Sequence, residues 1–250
     1  MNAFDLSGKV VLVTGANAGI GRAIAIALAQ NGADIAALSR REPAETVAAV
    51  AQLGRRAVWI DGELGTAMPG DFVGRTVAAL GRLDVLVNNA GTIRRCDAID
   101  FSERDWDEVI DINLKSAFFL SQQAARFWRA RDATGKIINV VSMLSFQGGI
   151  RVASYTASKS GLLGITRLLA NEWAKFGINV NAIAPGYIAT DNTAALREDA
   201  ERSRDILARI PAGRWGEPGD LGGAAVFLAS AAADYVHGAV LPVDGGWLAR

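Results

Sequence analysis

The fold is decided by residues 9–30, which read KVVLVT, then GANAGIG, then RAIAIALAQ. Lys9–Thr14 is a short, apolar and β-branched run, as expected for a strand that is buried on both faces of a parallel sheet. The glycine-rich segment Gly15–Gly21 follows at once, and Arg22–Gln30 has the apolar pattern of a helix. This order predicts a turn and a helix N-terminus that bind a pyrophosphate, although the spacing is GxxxGxG and a plain tight turn is the alternative.

The same alternation of strands and helices continues to the end of the chain. Further strands are predicted at Asp34–Ser39, Ala57–Ile60, Asp84–Val87, Lys136–Val141, Ile178–Ala184 and Gly238–Val243. Helices are predicted at Pro43–Gly54, Asp71–Leu80, Glu103–Arg129, Ala153–Phe176, Thr190–Arg209 and Glu217–Ser230. Such alternation predicts an α/β Rossmann fold, in which one doubly wound parallel sheet of about seven strands carries helices on both faces. We expect a single domain over residues 1–250.

The composition excludes several classes of protein. Half of the 250 residues are hydrophobic and the formal net charge is zero, so no overall field attracts the chain to nucleic acid or to an anionic membrane. Cys96 is the single cysteine, which excludes an intrachain disulfide and fits a reducing cytosol. The first residues lack the build of a signal peptide, and no apolar run approaches the roughly 20 residues that span a bilayer. We therefore expect a cytoplasmic protein without nucleic-acid or membrane partners.

The end of the second predicted strand indicates the cofactor. In a dinucleotide-binding fold, an acidic residue there binds the ribose 2′-hydroxyl, whereas an arginine accommodates a 2′-phosphate. Here Ser39, Arg40 and Arg41 stand at that position. The sequence therefore favours NADP(H), with NAD(H) as the alternative if both arginines are ordinary surface residues.

Tyr155 and Lys159 are four residues apart near the start of a predicted helix. Residues at positions i and i+4 share one face of a helix, with about 5–6 Å between their Cβ atoms. A phenol has a pKa of about 10, and a nearby ammonium favours its ionised form. The pair is therefore a candidate proton donor and acceptor tuned towards neutral pH, and a solvated helix face is the other interpretation.

Taken together, these segments resemble the short-chain dehydrogenase/reductase family. The matching residues follow the family's order and spacing over nearly the whole chain, namely Thr14, Gly15, Gly19, Ile20, Gly21, Asn88, Asn89, Ala90, Gly91, Asn113, Ser142, Tyr155, Lys159, Pro185 and Gly186. The resemblance implies an NAD(P)-dependent oxidoreductase that acts on a CH–OH group without a metal. In the implied mechanism, Ser142 holds the carbonyl oxygen and Tyr155 donates the proton. Lys159 lowers the pKa of the tyrosine, and Asn113 holds a water in the proton path.

The resemblance also implies a set of residues that bind the dinucleotide. These are Gly15, Asn17, Gly19, Ile20, Gly21, Ser39, Arg40, Arg41, Glu63, Leu64, Asn89, Ala90, Gly91, Tyr155, Lys159, Pro185, Gly186, Ile188 and Thr190. Two positions depart from the family's pattern. Glu63 stands where an aspartate beside the adenine is usual, and Ala18 stands where NADP-using relatives often carry a basic residue.

A closer resemblance is to the sugar-acid branch of that family. The segments Gln147–Val152, Val243–Arg250, Ile93–Arg95 and Arg209–Gly216 are similar to those of 2-keto-3-deoxygluconate (2-deoxy-D-gluconate 3-) dehydrogenases. Relatives include reductases of 4-deoxy-L-erythro-5-hexoseulose uronate, a keto acid released from alginate. The implied substrate is a deoxy sugar acid of alginate or pectin catabolism. Arginine suits a carboxylate, so the candidate substrate contacts are Gln147, Arg151 and Tyr187, with a salt bridge as the other interpretation of Arg151.

Two other functions fit parts of the same pattern. A 3-oxoacyl-carrier-protein reductase shares the catalytic set, and the arginine-rich segment 190–209 could supply the basic patch that an acidic carrier requires. A regulator that binds a dinucleotide without catalysis would not need the four catalytic side chains. The resemblance also implies a homotetramer, in which Glu103–Arg129 and Ala153–Phe176 pack against neighbouring subunits.

Overall fold

One parallel sheet forms the centre of the computed structural model, which describes residues 2–65 and 70–250. Its strands are β1 (Val10–Thr14), β2 (Asp34–Ser39), β3 (Ala57–Asp61), β4 (Val85–Asn88), β5 (Gly135–Val140), β6 (Ile178–Pro185) and β7 (Val240–Val243). Their order across the sheet is β3-β2-β1-β4-β5-β6-β7, and every neighbouring pair is parallel. This order confirms the doubly wound Rossmann fold that the sequence predicts.

Helices cover both faces of the sheet. They are α1 (Gly19–Gln30), α2 (Ala44–Gln52), α3 (Phe72–Leu80), α4 (Glu103–Ile110), α5 (Ser116–Arg129), α6 (Ala153–Trp173), α7 (Ala194–Glu198), α8 (Ala200–Arg209) and α9 (Gly222–Ala229). Short 3₁₀ turns at Ala98–Asp100, Met143–Ser145, Ala174–Phe176, Asp191–Thr193, Pro218–Leu221, Ala231–Ala233 and Trp247–Ala249 connect them. None of these described helices combines the length and the apolar composition that a membrane crossing requires.

The alternation of side chains along β1 creates two cores. Val11 and Val13 face α1 and α9, where they join the buried Leu28. Leu12 points to the opposite face and packs in the layer of α3, α5 and α6, with the fully buried Trp128. Successive residues of a strand point to opposite faces of a sheet, so the continuous apolar run of β1 contributes buried side chains to both layers. The carboxyl ends of the central strands are thereby fixed between two packed layers, which makes a rigid base for a site.

The helix predicted over Glu103–Arg129 is not continuous. A π-helical turn over Asp111–Lys115 separates α4 from α5. The hydroxyl of Ser116 donates to the carbonyl of Asp111 at 2.8 Å and accepts the Gly65 N–H at 2.9 Å. Such turns occur frequently at functional sites, and this one changes the direction in which Asn113 points.

The helices predicted at Thr190–Arg209 and Glu217–Ser230 are also interrupted. Asp199 ends α7 in an extended conformation, and its side chain accepts the Arg202 N–H at 2.9 Å, which caps α8. An aspartate at this place starts a new helix because its carboxylate satisfies a free N–H group. In the second segment, Pro218–Leu221 forms a 3₁₀ turn before α9 begins at Gly222.

Candidate active site

A cleft of about 990 Å³ opens where the carboxyl ends of β1, β2, β4, β5 and β6 meet. Its lining includes Gly15, Asn17, Gly19, Ile20, Gly21, Ser39, Arg40, Leu64, Asn89, Ala90, Gly91, Ser142, Tyr155, Lys159, Pro185, Gly186, Ile188 and Thr190. Crevices at this edge of a doubly wound sheet bind ligands, and the volume is at the upper end of ordinary ligand pockets. The structure therefore brings together most of the residues that the sequence assigns to the cofactor.

The glycine turn has the shape that a pyrophosphate requires. Gly15 and Gly19 have positive φ values of 68° and 52°. A Cβ at Gly21 would lie 2.2 Å from the Gly15 carbonyl oxygen, so only glycine lets α1 start this close to the turn. The N-cap of α1 is Ala18, whose methyl group cannot accept the N–H groups of the first turn. These N–H groups face the cleft and fit the phosphates of a dinucleotide.

Hydrogen bonds join the end of β4 to the end of β1. The Thr14 hydroxyl accepts the N–H groups of Asn89 and Ala90, each at 2.9 Å, and the Asn89 amide donates to the Thr14 carbonyl at 2.9 Å. The neighbouring Asn88 is buried and donates to Asn139 at 2.8 Å. The two asparagines therefore hold the backbone of residues 89–91 against the cleft, where a cofactor can lie on it.

At the adenosine end, two arginines line the cleft and each is paired with a glutamate. Arg40 lies 3.2 Å from Glu63. Arg22 pairs with Glu45, and its guanidinium donates to the Asn17 carbonyl at 2.6 Å. Of the described residues predicted to bind the cofactor, Arg41 and Glu63 lie outside the lining of the cleft. Arg41 is exposed, and Glu63 contacts the cleft only through Arg40.

Asn113 is 1% exposed and bridges two other segments. Its Oδ1 atom accepts the Thr92 N–H at 2.8 Å, and its Nδ2 atom donates to the Thr92 carbonyl at 3.0 Å. Nδ2 also lies 3.1 Å from the Ser158 hydroxyl, in the helix that carries Tyr155. The π turn therefore ties α4 and α5 to the loop after β4 and to α6. The side chain of Asn113 positions these elements, and Asn113 is not among the described residues that line the cleft.

Ser142, Tyr155 and Lys159 meet at the end of β5. The Ser142 hydroxyl accepts the Leu144 N–H at 3.1 Å, and its interaction with the Tyr155 phenol lowers the pKa of that group. Lys159 is 3% exposed, its Nζ atom donates to the Val140 carbonyl at 2.7 Å, and Nζ lies 5.8 Å from the centroid of the Tyr155 ring. Three of the four side chains predicted for catalysis therefore share the floor of the cleft.

The balance of effects on Tyr155 differs from the sequence prediction. Desolvation raises the pKa of Tyr155, whereas the hydrogen bond from Ser142 and the positive charge of Arg95 lower it. Desolvation dominates, so the phenol has a pKa above its ordinary value and is protonated at neutral pH. The predicted lowering by Lys159 is not what this structure has, because the ammonium itself is desolvated and points to Val140.

The pKa of Lys159 predicts how the stability of the folded protein depends on pH. Burial lowers this pKa from 10.5 to about 8. Between these values the unfolded chain binds a proton that the folded chain has released, so the stability of the folded protein rises with pH over this window. We expect the free energy of unfolding of the wild type, relative to Lys159→Met, to rise by roughly 3 kcal/mol from pH 8 to 10.5 and to stay level below pH 8.

Urea unfolding of both proteins at pH 7, 8, 9 and 10 measures this difference. The lost bond to Val140 affects every pH equally and cancels. Lys115→Met is the matched control, because Lys115 is half-exposed in an ion pair with Asp111. A difference between wild type and Lys159→Met that does not change with pH would contradict the assignment.

The three residues predicted to contact substrate lie outside the cleft. Arg151 has a positive φ of 64° and pairs with Asp97 at 3.1 Å on the surface, so the salt-bridge interpretation describes it better. Tyr187 packs edge-on against Trp215 and Trp247 and lines a separate pocket of about 350 Å³. Gln147 is half-buried and is not among the described residues that line the cleft.

Several residues of the cleft were not identified from the sequence. The loop after β4 contributes Thr92 and Arg94, and α4 contributes Glu108, which pairs with Arg94 at 2.6 Å. Arg95 is exposed beside the cleft, donates to the carbonyl of the lining residue Asn192 at 2.8 Å, and its charge acts on Tyr155. The only indication of these residues in the sequence was the position of Ile93–Arg95 shortly after the Asn-Asn-Ala-Gly turn. A loop that follows a central strand borders the cleft.

The comparisons with known proteins agree with this geometry. A sequence model described as enoyl-(acyl carrier protein) reductase matches residues 15–248. The 2-dehydro-3-deoxy-D-gluconate 5-dehydrogenase of Escherichia coli K12 is 58% identical over 252 residues, which cover 100% of this chain and 99% of that protein. The chain belongs to the short-chain dehydrogenase/reductase family. As a short-chain dehydrogenase/reductase, it is an NAD(P)-dependent enzyme that acts on CH–OH groups.

Other members of the short-chain dehydrogenase/reductase family confirm the fold. A solved structure from Agrobacterium tumefaciens with bound NADP is 56% identical, covers 100% of both chains and has a TM-score of 0.95. The gluconate 5-dehydrogenase of Burkholderia cenocepacia, solved with NADP and tartrate, is 37% identical and has a TM-score of 0.94, with 100% of this chain and 98% of that chain covered. The similarity to sugar-acid dehydrogenases that the sequence predicts is thereby confirmed.

Proposed function

We propose that this enzyme transfers a hydride between NADP(H) and a deoxy sugar acid of the 2-dehydro-3-deoxy-D-gluconate type, in the catabolism of uronates from alginate or pectin. The convergence of Ser142, Tyr155 and the buried Lys159 on the lining of the dinucleotide cleft is the observation that carries the proposal. The relatives from E. coli, Dickeya dadantii and Bacillus subtilis, 58%, 57% and 52% identical, support the substrate class, because each is named 2-dehydro-3-deoxy-D-gluconate 5-dehydrogenase.

The mechanism follows from the charge that develops on the substrate. When bound, NADPH supplies a hydride to the carbonyl carbon. The Ser142 hydroxyl donates a hydrogen bond to the carbonyl oxygen, and Tyr155 gives that oxygen its proton. The raised pKa of Tyr155 keeps the phenol protonated at neutral pH, which is the form that donation requires. Lys159, whose Nζ atom lies 5.8 Å from the centroid of the Tyr155 ring in the same cleft, would hold the ribose of the nicotinamide.

Arg95 is the group that we assign to the carboxylate of the substrate. Its charge acts on the Tyr155 phenol, and its guanidinium donates to the carbonyl of Asn192, a residue that lines the cleft, at 2.8 Å. Guanidinium groups match the geometry of carboxylates, and a carboxylate would replace a single backbone carbonyl as its partner. Arg95 therefore takes the role that the sequence gave to Arg151.

Ser39 and Arg40 support NADP(H) as the preferred cofactor, with NAD(H) as the alternative. Both line the adenosine end of the cleft, and a serine does not repel a 2′-phosphate as an aspartate would. The solved relatives from A. tumefaciens and B. cenocepacia contain NADP. The homotetramer and the cytoplasmic location that the sequence predicts belong to the same proposal.

A panel of carbonyl substrates tests the proposed function. NADPH consumption is measured with 4-deoxy-L-erythro-5-hexoseulose uronate, with the 2,5-diketo acid that oxidation of 2-dehydro-3-deoxy-D-gluconate yields, and with a 3-oxoacyl thioester. We expect turnover on a sugar acid and kcat/KM about 10- to 100-fold lower on the thioester, since one lost charge-assisted bond costs about 1.5–3 kcal/mol. A preference for the thioester would support the carrier-protein reductase, and no turnover at all would support a regulator.

A further inference from the structure

The carboxylate of Glu63 forms an ion pair with the guanidinium of Arg40, the group that a 2′-phosphate would bind. Glu63 Oε1 lies 3.2 Å from Arg40 Nη1, and the two side chains are 59% and 71% exposed. Both residues lie just after the ends of neighbouring strands, Arg40 one residue after β2 and Glu63 two residues after β3. An anionic ligand at Arg40 therefore has to compete with an anion that belongs to the protein.

The backbone fixes Glu63 at this distance. Strands β2 and β3 are paired up to Ser39 and Asp61, and the Gly62 N–H donates to the Ser39 carbonyl at 3.3 Å. A Cβ at Gly62 would lie 2.2 Å from the ring of Phe72, so the turn packs tightly on α3. The register of the sheet thus brings the backbones of Arg40 and Glu63 close enough for their exposed side chains to pair.

The second pair at this end of the cleft behaves differently. Arg22 also donates to the Asn17 carbonyl in the glycine turn, and its side chain is 33% exposed. Arg22 is therefore anchored, whereas the more exposed Arg40 is free to turn from its glutamate to a ligand. Each arginine is offset by one carboxylate, so the formal charge of these two pairs is zero.

We propose that Glu63 is a specificity-determining residue, which competes with the 2′-phosphate for Arg40 and thereby reduces the preference of the enzyme for NADP(H) over NAD(H). The inference rests on the proposed use of NADP(H) through Arg40. Exposed ion pairs contribute about 0.2–1 kcal/mol, and removing Glu63 also removes its repulsion of the phosphate. Release of Arg40 therefore increases affinity for a 2′-phosphorylated ligand about fivefold, which corresponds to about 1 kcal/mol.

Calorimetry with adenosine 2′,5′-diphosphate and 5′-AMP tests the inference without catalysis, because the two ligands differ only in the 2′-phosphate. Glu63→Gln should bind the diphosphate about fivefold more tightly than the wild type, with 5′-AMP changed less than twofold. Glu42→Gln is the matched control, because it removes a nearby exposed carboxylate and should change neither affinity more than twofold. Equal gains for both ligands, an equal gain in Glu42→Gln, or weaker binding of the diphosphate would overturn the inference.

The Arg40→Ala variant separates this inference from the proposed cofactor. In an Arg40→Ala background, Glu63→Gln should retain at most a small part of its gain for the diphosphate. If Arg40→Ala weakens the diphosphate and Glu63→Gln has no effect, the cofactor proposal stands and the role of Glu63 is wrong. If Arg40→Ala has no effect on the diphosphate, the cofactor proposal itself fails.

Discussion

Replacing Tyr155 with phenylalanine should lower turnover by at least about 100-fold and by as much as about 10⁴-fold, the range for loss of a general acid. The variant keeps the ring, which lies 5.8 Å from the Lys159 ammonium, and loses only the hydroxyl that Ser142 contacts. The proton would then have to come from solvent. Steady-state kinetics with the preferred sugar acid measure the loss.

Binding of the cofactor separates this effect from misfolding. The affinity for NADPH, measured by fluorescence, should change less than about threefold, because the phosphates and the adenosine bind far from the phenol. Tyr235→Phe is the matched control, because Tyr235 is 98% exposed and should retain full turnover. Turnover near the wild-type value in Tyr155→Phe would show that another group donates the proton.

Arg40→Ala should raise the KM for NADPH by about 10- to 100-fold and leave the KM for NADH nearly unchanged. A guanidinium can bond the 2′-phosphate through two charge-assisted bonds, and losing one such bond costs about 1.5–3 kcal/mol. The variant also removes Arg40 as the ion-pair partner of the Glu63 carboxylate. That carboxylate then repels the 2′-phosphate. NADH carries a hydroxyl in place of the 2′-phosphate, so it neither gains these charge-assisted bonds nor is repelled by Glu63.

The control for Arg40 is an arginine of equal charge far from the adenosine end. Arg104 on α4 is 89% exposed, so Arg104→Ala should leave both KM values within about twofold. A wild-type enzyme that prefers NADH would show that the arginines after β2 do not select the cofactor. Equal increases in both KM values would assign Arg40 to the adenosine and not to its phosphate.

The fold could be predicted because its signals are local. The apolar runs of β1 and β2 are short and bounded by turns, β1 is rich in β-branched residues, and the structure places β2 at the predicted residues, Asp34–Ser39. The interruptions could not be predicted from periodicity. The π turn at Asp111–Lys115 adds one residue to the repeat, and it is stabilised by bonds from Asn113 to Thr92 and Ser158, which are 21 and 45 residues away.

The residues of the candidate site also divide into those that local sequence signals predict and those whose placement depends on the tertiary structure. Gly15–Gly21, Ser142, Tyr155 and Lys159 could be placed because each follows a strand or repeats at helical spacing. Arg151 and Tyr187 are close in sequence to Tyr155 and Gly186, yet a positive φ turns one outward and aromatic packing holds the other. The direction of the pKa shift of Tyr155 depends on burial, which a spacing of four residues does not contain.

Transfer of an isotope tests the central claim most directly. The wild-type enzyme is given NADP⁺ and 2-dehydro-3-deoxy-D-gluconate that carries deuterium on carbon 5, and the reduced cofactor is analysed by mass spectrometry and NMR. The account predicts one deuterium on carbon 4 of the nicotinamide, formed at a rate that Tyr155→Phe lowers at least about 100-fold. Reduced cofactor without deuterium would mean that the hydride leaves another carbon, and that result would contradict the proposed reaction.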